Sequence, residues 1–337
     1  MPRPTIAPVV WTPPTQPPRA GQSASAPPMP PLTLTRIDAT GPEDVVIDPN
    51  GNVYTGVADG RILRISPEGS ATTVAMTNGR PLGVELVDDG ERLIVADAHR
   101  GLLRVDPDQG TVETLVDEID GVRMRLCDNA AVGPDGAIYF SDSSRRFGLD
   151  HWQADLLEHS GTGRLLCRKP SGAIEVLADG LQFANGVALS ADGDFVAVAE
   201  TGAYRITRVW LGGPKAGQRD VLIDNLPGFP DNISTGTNGR LWVALASPRN
   251  PALDWMHART PLLRKAVWGL PRGWQPRPKP TAWVIAVNTD GEIVADLQDS
   301  GANYHLVTGV REHNGRLYLG SLAEQSIAAL DLTDSGG

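Results

Sequence analysis

Cysteine is nearly absent: the 337 residues contain two, Cys127 and Cys167, with no CxxC pair. Two buried thiols are the expected state, and a single disulfide between them is left open. No run of eighteen apolar residues occurs, so a membrane-spanning helix is not expected. No apolar stretch follows Met1-Pro2-Arg3, so a signal peptide is not expected and cytoplasm is the expected compartment. Basic charge is in deficit, with 30 Lys and Arg against 40 Asp and Glu and a net charge of −10. That balance argues against a nucleic-acid partner or an anionic membrane; membrane association is left open with no feature that indicates it. Several catalytic motifs are missing too. Gly213-Pro-Lys-Ala-Gly217 lacks the Gly-Lys-Ser/Thr end of a P-loop, and neither a GxSxG elbow nor HExxH occurs.

Glycine (37) and proline (28) are plentiful and 41% of the chain is hydrophobic. This composition fits many short strands and turns around a large core. The clearest unit runs from Leu181 to Glu200. Val187 and Leu189 alternate with small or polar residues, Ala191-Asp-Gly193 reads as a turn, and Phe195, Val196 and Val198 build the returning strand. The unit recurs six times, with turn glycines at Gly51, Gly90, Gly136, Gly193, Gly239 and Gly315. An apolar strand follows each one. Spacings of about forty to sixty residues suit four-stranded blades. The expected fold is therefore all-β, a six-bladed β-propeller spanning residues 32–337, preceded by a Pro-rich arm over 1–31.

Eight residues before each turn glycine stand Glu43, Leu82, Asp128, Asn185, Asp231 and Val307. Equivalent positions of radially arranged blades form a ring. Four of these six side chains carry carboxylate or amide oxygens, a donor set for a hard cation. Asp and Asn also start strands for purely local reasons, by bonding nearby backbone. The shared register across four repeats favours the ring.

The arm contains Trp11 and eleven prolines. It is expected to lie extended on the surface or to be disordered, with Trp11 docking on the body. Leu32 to Ile37 and Ser326 to Leu332 read as strands that pair to close the ring, because an open ring leaves bare edges. Two long insertions break the repeat. Residues 145–158 read as loop plus helix, with Trp152, Leu156 and Leu157 on one face; Leu263, Val267 and Leu270 suit an amphipathic helix ended by Pro271. Such insertions gather on one mouth of a propeller. A lid over a pocket is the preferred reading, ahead of a membrane or partner contact.

Phe183-Ala-Asn-Gly-Val187, Arg208-Val-Trp-Leu-Gly-Gly-Pro214, Gly228-Phe-Pro-Asp-Asn-Ile233, Ile138-Tyr-Phe-Ser-Asp-Ser-Ser144 and Tyr318-Leu-Gly320 resemble the strictosidine synthase-like family over about residues 33–333. The resemblance implies kinship with the six-bladed propellers of gluconolactonase, regucalcin and paraoxonase. Many of these hold a divalent cation, commonly Ca²⁺, and hydrolyse lactones, aryl esters or organophosphates. It implies Glu43, Asp128, Asn185 and Asp231 as ligands. Asp128 replaces the usual Asn, and the adjacent Asn129 is the alternative if the strand slips by one. Strictosidine synthase itself carries a catalytic Glu in the sixth repeat, where Thr308 stands here, so amine condensation is not expected. The implied activity is metal-dependent hydrolysis of a small ester or lactone. Asp231 is the expected catalytic carboxylate and His99 a candidate base. The alternative is a binding propeller with a structural ion.

Overall fold

The computed structural model describes residues 3–332. Six four-stranded antiparallel sheets stand around one axis. Inner strands begin at Val46, Pro81, Cys127, Ala184, Gly228 and Val307 for blades one to six. A further two-stranded hairpin pairs Glu118–Ile119 with Val122–Arg123. Each blade hairpin alternates buried apolar residues with its neighbours, so each sheet buries both faces between adjacent blades. Phe195, Ala197 and Ala199, for example, pack towards Val243, Leu245 and Trp283 of blade five, while Val196 and Val198 pack towards Leu165 and Cys167 of blade three. All six turn glycines have positive φ, between +74° and +92°.

The ring closes by pairing the two ends of the chain, as the cost of a bare edge requires. Thr33–Arg36 pairs antiparallel with Ser326–Asp331, which makes the N-terminal strand the outer edge of blade six. Both cysteines are free, buried thiols in separate clusters. No helix among the described residues is long and apolar enough to cross a membrane.

Adjacent inner strands approach so closely at the axis that glycine is required there. A Cβ on Gly83 or Gly309 would lie 2.7 Å from the Cα of Asn129 or Asp44 in the next blade, and one on Gly186 would overlap the backbone of Asn232 and Ile233. The positions following the hub residues therefore alternate round the ring: Asp44, Gly83, Asn129, Gly186, Asn232, Gly309. Each polar side chain of an odd blade sits beside a glycine of an even one. Gly186→Ala is expected to lower stability by about 2–4 kcal/mol, since the contact is with backbone that cannot rotate away. Chemical unfolding of that variant against the parent measures it.

In a four-stranded blade the start of strand one lies beside the end of strand two. Loops joining strands two and three consequently share the face on which the inner strands begin. Both insertions are such loops. In blade three, residues 143–162 carry α1 (Trp152–Glu158); in blade five, residues 249–281 carry α2 (Pro251–His257) and α3 (Pro261–Gly269). Asn250 caps α2, its Oδ1 accepting from the Ala252 and Leu253 amides. The buried face of α3 differs from the expectation by one position. Arg264 and Trp268 are buried, Leu263 and Val267 are half-buried, and Leu270 lies exposed beyond the helix. The reason is a buried cation: Arg264 donates to the carbonyls of Leu157 (3.0 Å) and Val9 (2.7 Å) and contacts His257 Nδ1.

The Pro-rich arm straps this face. Arg3 donates to the Trp268 carbonyl at 2.7 Å, and the Ala7 amide reaches Glu158 Oε2 at 2.7 Å. Trp11 stacks on His159 at 4.0 Å. Farther on, the Arg19 guanidinium pairs with Asp296 at 2.6 Å on the outer strand of blade five. The arm's extended backbone needs no core of its own because it borrows partners from the lid.

Candidate functional site

Beneath the insertions lies a cavity of 580 Å³, the size of a small-molecule site. Glu43, Asp128, Asn185, Asp231 and Thr308 all line it, with Leu82 completing the six-blade ring. The five polar residues are buried. The walls are apolar: Trp152, Leu156 and Leu157 from α1, Leu253 and Met256 from α2, Val267 from α3, Phe229 from the start of the inner strand of blade five, and Phe183, Leu306 and Leu322 from loops at the mouth. Phe183 and Leu306 stand two residues ahead of Asn185 and Thr308 in left-handed backbone, φ +59° and +52°. That conformation is costly for such side chains, and it accompanies their position at the cavity wall.

The blade-six member of the ring differs from the counting rule. Thr308, not Val307, meets the cavity. His313 pairs directly with Arg316, so this hairpin turns in two residues, and the ladder is irregular between Val307 and Gly309. The count to the turn glycine is shortened by one. Thr308 Oγ1 donates to the Glu43 carbonyl at 2.8 Å.

Asp128 rather than Asn129 faces the cavity. Asn129 Oδ1 accepts from the Val187 amide at 2.9 Å and its Nδ2 faces Asp44 Oδ2 at 3.3 Å, so this side chain ties blades three, four and one together. It is not a candidate ligand in this arrangement. His99 fails for a different reason: it is exposed on the turn after the second strand of blade two and does not line the cavity. Asp97, Asp142 and Glu200 are strand-end caps. Asp97 accepts from the Arg80, His99 and Arg100 amides, Asp142 pairs with Arg164 at 2.5 Å, and Glu200 pairs with Arg205 at 2.7 Å.

Electrostatics at the floor is dominated by uncompensated acid. Burial pushes the Glu43 carboxyl well above its usual range, and Asp231, Asp44 and Asp128 push it further; Arg80 offsets part of this. Burial, then the charge of Asp128, raises Asp231 well above its usual range, with the Asn185 amide opposing. Asp128 is pushed up to about 7 by burial, against a 2.6 Å hydrogen bond from Ser143 Oγ. Asp44, behind the floor, is raised to about 6 by burial. Glu43 Oε1 accepts from Asn232 Nδ2 at 2.9 Å. Its Oε2, like Asn185 Oδ1, is buried with no partner. Buried oxygens left bare are costly, and a hard cation is the partner that would satisfy several at once. Among the described residues no three His, Cys, Asp or Glu side chains are already gathered as a metal centre would hold them. The donors line one cavity floor without being gathered round a single point.

Asp44, Asn232 and Ser143 were not singled out in the sequence. The signal for the first two existed. Hub residues come as doublets, Glu43-Asp44, Leu82-Gly83, Asp128-Asn129, Asn185-Gly186, Asp231-Asn232 and Thr308-Gly309, whose second member alternates between polar and glycine. Ser143 carries no signal of its own, because only the fold brings the end of strand two beside Asp128.

The fold and site define a six-bladed propeller with an acidic, oxygen-lined hub beneath an apolar, helix-covered mouth. Family models for strictosidine synthase match residues 128–214 and for the strictosidine synthase-like N-terminal region residues 32–65. The chain is 36% identical over 300 residues to Protein STRICTOSIDINE SYNTHASE-LIKE 6 of Arabidopsis thaliana, covering 86% of this chain and 79% of the relative. It is 35% identical over 320 residues to adipocyte plasma membrane-associated protein of Rattus norvegicus, covering 87% and 83%. The chain belongs to the strictosidine synthase-like family. Its fold is that of a gluconolactonase from Xanthomonas campestris (TM-score 0.68, 18% identity, 93% of each chain). It is also that of the calcium-binding protein regucalcin from Agrobacterium tumefaciens (TM-score 0.63, 16% identity, 90% and 95%).

Proposed function

We propose that the protein is a divalent-cation-dependent hydrolase of small, predominantly apolar esters or lactones. The supporting observation is the pair of bare buried oxygens, Glu43 Oε2 and Asn185 Oδ1, on a floor shared with Asp128 and Asp231. Oxygen-only donors of net negative charge match calcium better than zinc or copper. Glu43, Asp128, Asn185 and Asp231 would hold the ion. The bound ion would act as a Lewis acid on the substrate's carbonyl oxygen, favouring the charge that develops in the transition state.

The chain's own residues do the rest. The apolar walls from α1, α2 and α3 exclude water from the floor and take the acyl or ring portion of the substrate. No histidine lines the cavity among the described residues. Of the three carboxylates that line it, Asp231 is the one assigned here to receive the proton of an attacking water or to attack the acyl carbon itself. Ser143 holds Asp128 in place through Oδ2, and Asn232 does the same for Glu43. Thr308 offers a hydroxyl where an amine-condensing enzyme needs a carboxylate base, which favours hydrolysis over condensation. The binding-propeller alternative shares this cation site but lacks turnover.

The deciding assay is hydrolysis of phenyl acetate and of γ-lactones of increasing alkyl length, before and after chelation, with metal content measured in parallel. The expected result is calcium co-purifying with the protein, turnover lost with a chelator and restored by calcium, and rates rising with alkyl length. Metal retained without turnover of any substrate would favour the binding propeller. No bound metal and no chelator effect would overturn the proposal.

A further inference from the structure

The segment from Arg249 to Lys279 has a charge opposite to that of the molecule it belongs to. It carries seven Lys or Arg and one acidic residue, Asp254, a net +6 within a chain of net −10. Asp254 is consumed internally, its carboxylate bound to Arg249 at 2.9 Å and to the Tyr204 hydroxyl at 2.8 Å. Arg259, Lys265, Arg277 and Lys279 are exposed.

The same segment is two-faced in its apolar residues. Leu253, Met256 and Val267 turn inward to the cavity. Trp255, Leu262 and Trp274 are 55%, 70% and 79% exposed. Two tryptophans and a leucine left bare on a segment that also carries exposed cations are unusual on a surface meant only for water. Arg259 lies over the Trp255 ring at 5.4 Å, so aromatic and cation stand together.

We propose that this lid face docks on an anionic lipid surface, with Trp255, Leu262 and Trp274 entering the headgroup boundary and Arg259 and Lys265 facing the phosphates. Tryptophan and leucine at the acyl boundary with flanking Lys and Arg is the arrangement by which interfacial helices bind membranes. Charge complementarity selects the anionic leaflet, since the basic segment is attracted to it while the rest of the chain carries a net charge of −16 from the same totals. The docked orientation places the cavity mouth against the lipid. Whole-chain charge conceals this, because it averages a basic patch with an acidic body.

The test is co-sedimentation of the full chain with vesicles of phosphatidylcholine alone and of phosphatidylcholine with phosphatidylserine. The comparison variants are Trp255→Ser/Leu262→Ser/Trp274→Ser and Arg259→Glu/Lys265→Glu, each first shown by circular dichroism and thermal melting to be folded as the parent. The parent is expected to partition at least about tenfold more strongly onto the serine-containing vesicles, with salt weakening it, and each variant to lose at least about tenfold. Absence of binding by the parent, equal binding to both vesicles, or folded variants that bind as the parent does would each overturn the proposal. So would a concentration-dependent dimer in sedimentation velocity that the triple variant abolishes while vesicle binding persists, since the patch would then face a second copy.

Discussion

Asp231→Ala is expected to abolish calcium retention and to lower ester and lactone hydrolysis by about two to three orders of magnitude or more. Two losses combine. The floor gives up one of three carboxylates, and with it the group placed to take the water's proton. Asn185→Ala separates them, because it removes a neutral oxygen and leaves Asp231 intact. Its calcium affinity should fall, while the rate at saturating calcium recovers a large part of the parent's. His99→Ala should leave the rate within about twofold, since that side chain is exposed and outside the cavity. Calcium content by elemental analysis and initial rates at saturating calcium distinguish the three. A full rate in Asp231→Ala would remove the assignment of the base and of the site together.

The second large effect is a reversal in how stability depends on pH. Without a cation, burial pushes Asp128 up to about 7 in the folded protein, against 3.8 as its ordinary value, and Glu43 and Asp231 are also raised well above their ordinary range. Folded pKa values above unfolded ones mean that the native state holds protons which the unfolded chain has released. Stability of the chelated protein is therefore greatest near pH 4 on this account and falls as pH rises through 7. Calcium competes with those protons and binds only the folded form. Its stabilisation should be small at pH 5 and reach several degrees in melting temperature at pH 8, at calcium about a hundredfold above its dissociation constant. Asp128→Asn should flatten the chelated protein's decline across this range. Melting curves at pH 5, 6, 7 and 8, with chelator and with calcium, give the slope and its sign. A chelated protein whose stability rises from pH 5 to 8 would contradict the buried, uncompensated hub.

The turn glycines were readable because a positive φ and a returning apolar strand are local requirements, met within nine residues each time. Ring closure by Thr33–Arg36 was readable for a similar reason: both ends are strand-like, and a bare edge must pair. The floor was legible as far as local register held. Glu43, Asp128, Asn185 and Asp231 keep the same distance from a turn glycine and converge on one cavity. Thr308 broke the count because its hairpin is tighter, a difference that residue identities alone do not announce. The choice between Asp128 and Asn129 required the neighbouring blades, since what removes Asn129 is the Val187 amide 58 residues away.

The lid shows the same division. Its existence and helical character followed from the spacing of Trp152, Leu156 and Leu157. The burial of Arg264 did not, because a cation is buried only where distant carbonyls, here those of Leu157 and Val9, are waiting for it. By itself the sequence determined the repeat, the strand faces, the blade number and the four oxygen-bearing hub residues, all of which follow from period-two burial and backbone sterics within one hairpin. Only the tertiary structure decided which member of each hub doublet faces the cavity, how Thr308 enters the ring, and that an arm of prolines straps two insertions over an acidic floor. Those outcomes depend on contacts between residues tens to hundreds of positions apart, and no local pattern encodes a contact that closes only when the sixth blade meets the first.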